Sequence, residues 1–142
     1  MPGIIVALVS GALMSIQGVF NTEITKQSSI WAAAGWVQLT ALAACAVFYF
    51  LTGKGEIMGM FSVSRKYMLL GGVMGAFITW TVIRSMETLG PARATLLIVV
   101  TQIVVAYGIE LLGLFGVEKA GFEWKKLIGA LTAIAGIIIF RY

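Results

Sequence analysis

The chain of 142 residues has no histidine, a single cysteine, two prolines and charged side chains at only 11% of its positions. Each shortage excludes something. Without histidine the commonest metal ligand and general base is missing. Cys45 sits alone in an apolar run, so it forms no intrachain disulfide and reads as structural. There are no paired carboxylates and no cysteine beside a base, so an enzyme is not expected, and neither a metal nor a cofactor is implied. A phosphate-cradling loop is also absent, which removes nucleotide hydrolysis as an energy source. Nothing points to a nucleic-acid partner. The first apolar segment opens on Pro2-Gly3-Ile4 with no basic stretch before it, a poor signal peptide that should stay in the mature protein.

What is present is apolar. Hydrophobic residues make up 60% of the chain and mean hydropathy is +0.99, whereas soluble domains carry about 25% charged residues. A soluble core of this composition would have no surface. Five stretches contain no charge at all: Pro2 to Thr22, Gln27 to Gly53, Tyr67 to Ile83, Ala94 to Ile109 and Leu127 to Phe140. A hydrocarbon core of ~30 Å needs ~20 helical residues, and the shorter stretches reach that length with flanking groups able to snorkel, among them Arg84, Glu110, Trp124, Lys125, Lys126 and Arg141. The reading is an all-α membrane protein, a single transmembrane domain over residues 1–142 with helices at about 2–22, 29–53, 67–88, 91–115 and 124–141. Connections are short, and Gly90-Pro91 is the strongest breaker between two of the helices.

Five crossings place the termini on opposite sides of the bilayer. With the N-terminal side called A, Lys54, Arg65, Lys66, Lys119, Lys125 and Lys126 lie on A, and Lys26, Arg84, Arg93 and Arg141 on B. That bias formally puts the N-terminus in the cytoplasm, yet it is small enough for insertion in both orientations. Small residues recur at helix-packing intervals: Gly3, Ala7, Gly11 and Ser15 in the first helix, Gly71, Gly75 and Thr79 in the third, Gly129, Ala133 and Gly136 in the fifth. In lipid such stripes let backbones approach, within a subunit or across a dimer seam.

Side chains that are expensive in hydrocarbon face protein or water, so the few polar groups carry the chemistry. Gln38 lies close to the midpoint of the second helix, Gln102 near that of the fourth, and Gln17 roughly 7 Å from that of the first. Trp80 and Thr79 share that depth on the third helix, and Asn21 and Trp36 are further candidates. Together Gln17, Asn21, Trp36, Gln38, Thr79, Trp80 and Gln102 form a candidate substrate-binding set at mid-membrane, where transporters bind their cargo. For each glutamine alone, a plain hydrogen bond to a neighbouring helix is the competing explanation. Arg84 and Glu110, each ~10 Å from the midplane, are candidates for coupling or gating. The two would lie toward opposite faces within one copy, and an inverted partner would bring its Arg84 to the face of the first copy's Glu110.

Taken in order, Gly11-Ala12-Leu13 with Gln17 and Asn21, Leu89-Gly90-Pro91-Ala92, Val100-Thr101-Gln102-Ile103-Val104, Gly108-Ile109-Glu110 and Gly129-Ala130-Leu131 with Ala135-Gly136 resemble the single-repeat, five-helix branch of the drug/metabolite transporter superfamily, the YdcZ-like exporters. Two departures stand out. Glu110 occupies a place where that branch tends to carry aspartate, followed by a looser Leu111-Leu112-Gly113. The first helix also has no acidic residue, so the proton-exchanging carboxylate of the related four-helix multidrug exporters has no counterpart here. The resemblance implies half of a ten-helix inverted-repeat transporter, pairing as an antiparallel homodimer or with a close paralogue in a bacterial cytoplasmic (inner) membrane. The function it implies is secondary transport, as an exporter of a small polar or amphipathic metabolite, either coupled through Glu110 or running as a uniporter. A small structural or regulatory membrane protein without transport activity is the alternative.

Overall fold

The computed structural model describes residues 2–53 and 55–141, the side chains of Pro2 and Arg141 excepted. Lys54 and the side chain of Arg141, both counted in the charge bias, lie outside the described residues. Five helices follow one another: α1 (Pro2–Gln27), α2 (Ile30–Thr52), α3 (Gly71–Leu89), α4 (Pro91–Leu112) and α5 (Trp124–Arg141). Among the described residues there is no strand. Among the described residues four segments are long and apolar enough to cross a membrane: Gly3–Gln27, Ile30–Thr52, Lys66–Leu89 and Pro91–Leu112. The 18 residues of α5 reach ~27 Å at ~1.5 Å per residue.

Local chemistry sets the helix ends. α1 runs on past Thr22, its expected end, to Gln27, and so takes in Glu23, an acid in a helix expected to hold none. The hydroxyls of Thr22 and Thr25 donate to the carbonyls of Gly18 and Asn21, each at 2.8 Å, and Lys26 pairs with Glu23 at 2.5 Å across one turn. Ser29 opens α2 by accepting the Ala32 amide at 3.2 Å, satisfying one of the free donors of the first turn. Gly53 closes α2 in the left-handed region (φ 39°), its amide donating to the Tyr49 carbonyl at 2.7 Å. Gly90 at φ 80° and Pro91 at the first position of α4 make the break read from the sequence. α4 ends at Leu112, three residues before the expected 115. Gly113 adopts φ 64° and Phe115 φ 57°, neither of which a right-handed helix accommodates. Residues 66–70 form a 3-10 segment before α3 in place of its first α-helical turn.

The chain falls into two compact units, Met1–Thr88 and Leu89–Tyr142. In the first, α1 packs on α2 and α3 touches both. A Cβ added at Gly18 of α1 would lie 2.5 Å from Met86 Cε and 3.4 Å from Val82 Cγ1 of α3, and one at Gly75 of α3 would lie 3.1 Å from Gln38 Nε2 of α2. Ala33, Ala34, Ile83 and Met86 are buried there. The covered positions of α1 are small or polar (Ser15, Gly18, Asn21, Thr22, Thr25), while Ile4, Leu8, Leu13 and Phe20 point outward. That distribution suits a helix whose outer face meets lipid. In the second unit α4 packs on α5, with Ala94, Val100 and Ala130 buried.

Candidate functional site

In the first unit the α2–α3 seam gathers three of the expected site residues. Gln38 is half-buried, and its amide occupies the space that a side chain at residue 75 would fill. One turn along α3, the Thr79 hydroxyl donates to the Gly75 carbonyl at 2.9 Å. Its proton is therefore committed to its own helix, and its oxygen remains an acceptor. Trp80 is half-buried and stacks on Trp31, ring centroids 6.2 Å apart at 21°, while Phe77 meets Trp31 edge-on at 6.3 Å and 85°. Trp31 and Gln38 are seven residues apart, two turns of α2, and so share one face. The result is an aromatic corner at one end of the seam and a primary amide further along it.

Elsewhere in this unit, Asn21 is the one buried polar side chain among the described residues, 5% exposed, on the covered face of α1 beside Gly18. Gln17 is exposed on α1. Trp36, two residues before Gln38 and hence about 200° around α2 from it, is also exposed. Arg84 is exposed and bonds Glu87 one turn later at 3.4 Å.

The second unit holds Gln102, exposed on α4, and a charged knot where α4 and α5 meet. Glu110 binds Lys126 at 3.3 Å, and Lys126 also binds Glu123 at 3.3 Å. The same ammonium lies 5.7 Å from the centre of the Tyr107 ring, within cation-π range. The Tyr107 hydroxyl accepts the Glu123 amide at 3.0 Å and approaches the Glu123 carbonyl at 3.3 Å. The Ala120 amide donates to the Glu110 carbonyl at 2.9 Å. The α4–α5 connection is thus tied to the last turns of α4 by side chain and backbone alike. Each of these two charges has a partner inside its own unit, three residues away for Arg84 and sixteen for Glu110.

Sequence reasoning missed four participants. Trp31, outside the candidate set, is the stacking partner of Trp80. Gly75 reads as one of several packing glycines and is the one that admits Gln38. Lys126 and Tyr107 were not associated with Glu110. The i, i+7 relation of Trp31 to Gln38 was the available signal for the first; the others depend on tertiary approach.

Long apolar helices with lipid-suited outer faces describe a membrane protein. Comparison with known proteins agrees. The family model described as "Putative inner membrane exporter, YdcZ" matches residues 2–139. Neither the curated proteins nor the solved structures returned a match. With nearly its whole length inside that family model, the chain belongs to the YdcZ family of multi-pass inner membrane exporters.

Proposed function

We propose that the chain is a secondary exporter of a small polar or amphipathic metabolite, working by alternating access as an antiparallel pair of five-helix copies. In this reading α5 is the fifth crossing, both units act as one transmembrane domain, and the pair reproduces the inverted symmetry of larger transporters. The observation that carries the proposal is the placement of the amides. Gln102 sits at the middle of α4, and Gln17 and Gln38 within ~5 Å of the middle of α1 and α2 at ~1.5 Å per residue. Gln17 and Gln102 are nevertheless exposed on the single chain. An amide facing acyl chains at that depth loses its hydrogen bonds to water without replacement, a cost of several kcal/mol, roughly 4–8 on alkane transfer scales. A second copy that encloses a polar cavity removes the cost. Gly3, Gly11, Gly129 and Gly136, expected at packing seams, meet nothing within 4 Å in one chain, which is consistent with further surface waiting to be covered.

In the assembled pair, Gln17, Gln38 and Gln102 supply donors and acceptors, with Thr79 and Asn21 as lesser contributors and Trp80 and Trp36 as aromatic wall. The absence of a cation among these residues favours a neutral or amphipathic cargo over a dianion. Glu110 is the candidate coupling carboxylate, and Lys126 would have to release it for a proton or ion to take its place. Arg84, held by Glu87, is the gating candidate at the other end.

The test is efflux from proteoliposomes loaded with a defined mixture of small polar and amphipathic metabolites, the external solution being read by mass spectrometry, with both termini mapped for sidedness in the same preparation. Expected are termini on opposite sides in mixed orientation and at least one metabolite leaving faster than from empty vesicles. Its flux should fall in Gln38→Ala and Gln102→Ala at unchanged expression. Losing one neutral hydrogen bond, ~0.5–1.5 kcal/mol, corresponds to about 2- to 12-fold in apparent affinity. No flux from folded, correctly inserted protein would favour the structural or regulatory alternative.

A further inference from the structure

The connection between α2 and α3 is built unlike a solvated loop. Residues 57–62 and 66–70 form two 3-10 segments. Three residues per turn make side chains three apart eclipse, so Ile57 with Met60 and Met58 with Phe61 form two apolar edges, and Gly59 with Ser62 a third, small one. Those large side chains are not folded away: Met58 is 74% exposed, Ile57 54% and Phe61 49%. Past them stand Arg65 and Lys66, against a single acid, Glu56. The Lys66 ammonium donates to the Phe61 carbonyl, which draws that base against the apolar segment. An ammonium has three protons, so two remain to be donated. The segment also starts at a fixed place. Gly53 caps α2, and the phenol of Tyr49 in its last turns donates to the Gly55 carbonyl at 2.8 Å, which ties the connection to the end of a membrane-crossing helix.

We infer that residues 55–70 form an interfacial lipid-binding element: Ile57, Met58, Met60 and Phe61 enter the headgroup and acyl boundary, and Arg65 and Lys66 hold the phosphates of anionic phospholipid. The two requirements of interfacial binding, exposed apolar area and basic groups beside it, are met within the ten residues from Ile57 to Lys66. Water would leave the apolar edges unsatisfied, while acyl chains alone would strand the two cations. The boundary between the two is the one environment that suits both, and it is where α2 ends. The inference does not depend on transport or on pairing of copies.

The test uses the full chain carrying Cys45→Ala, so that an environment-sensitive NBD label can be placed at Phe61→Cys or, as a second reporter, Met58→Cys. The protein is reconstituted in phosphatidylcholine vesicles with or without phosphatidylglycerol, and NBD emission is quenched either by aqueous iodide or by nitroxides attached to the lipid chains. Expected at both positions is strong lipid-nitroxide quenching, weak iodide quenching, and a shift toward iodide when phosphatidylglycerol is omitted. Neutralising either base, as Arg65→Gln or Lys66→Gln, should lower the membrane-inserted population in anionic vesicles by roughly fivefold, ~1 kcal/mol per residue near an anionic surface. Iodide quenching in every vesicle would make the segment a solvated loop. Shielding from both quenchers would mean that protein, such as a second copy, covers it. Insertion unaffected by phosphatidylglycerol or by the neutralised variants would remove the headgroup from the binding. Each of these three results overturns the inference.

Discussion

Replacing Gly18 by alanine tests the close approach of α1 to α3 in the first unit. A methyl there would lie 2.5 Å from Met86 Cε, 2.8 Å from Met86 Sδ and 3.4 Å from Val82 Cγ1, where carbon contacts are optimal at ~3.5–4.0 Å. Met86 must therefore move by roughly 1 Å, and it is only 5% exposed, so the movement is into its neighbours. Overpacking of this kind costs ~1–3 kcal/mol. Met is the most adaptable core residue, which places the cost toward the lower end, and alanine regains ~1 kcal/mol of helix propensity over glycine. The expected result is a loss of ~0–2 kcal/mol for Gly18→Ala, measured by reversible unfolding in mixed micelles titrated with denaturing detergent. The decisive quantity is the coupling with Met86→Ala. Removing the methionine vacates the space that the new methyl needs, so the double variant should be more stable than the two single losses predict, by about 1–2 kcal/mol. Gly11→Ala, which meets nothing within 4 Å, is the matched control and should not couple. Additivity of the Gly18 and Met86 changes within ~0.5 kcal/mol would refute the close crossing of α1 and α3.

Two further outcomes follow from the same kind of geometry. Gly75→Ala should displace the Gln38 amide by a few tenths of an ångström, seen as an altered environment for a cross-linker or label next to Gln38. Gly71→Ala on the same helix, with nothing within 4 Å, should leave that environment unchanged. Tyr107→Phe removes the hydroxyl that meets both backbone groups of Glu123, a loss of ~0.5–1.5 kcal/mol. Hydrogen exchange at the Glu123 amide should accelerate by up to about tenfold while exchange inside α4 stays constant; equal acceleration in both would mean that the knot does not hold the connection locally.

The number and approximate place of the helices were legible because uncharged runs in lipid have one way to satisfy their backbone. The breaks were legible where glycine and proline act together, at Gly90-Pro91. Less legible were ends decided by side chain to backbone bonds. Thr22, Thr25 and Ser28 extend α1 by donating to carbonyls one turn back, and composition alone does not separate that use of a hydroxyl from a loop residue. Packing was harder still. Gly3, Gly11, Gly71 and Gly129 look as fit for close contact as Gly18 and Gly75, yet only the last two of these six have another helix against them in the single chain. A four-residue spacing identifies a face on which a neighbour can lie without saying which face is used. The candidate site was legible as a set of residue types and depths. Its pairings, Trp31 with Trp80 and Gln38 over Gly75, arise from how α2 and α3 meet.

The charges make the strongest argument about how such a carrier would work. Arg84 and Glu110 look, from the sequence, like lone charges that need each other, and an inverted pair of copies would be one way to bring them together. With Glu87 beside Arg84 and Lys126 beside Glu110, each charge has an opposite partner within its own chain. Lys126 has a second carboxylate, Glu123, within 3.3 Å and an aromatic face, Tyr107, beneath it. Lys126 can therefore shift its weight from Glu110 to Glu123 without leaving the knot. Any conformational change that separates α4 from the start of α5 would part Lys126 from Glu110 while leaving it beside Glu123, three residues before it on its own side of the junction.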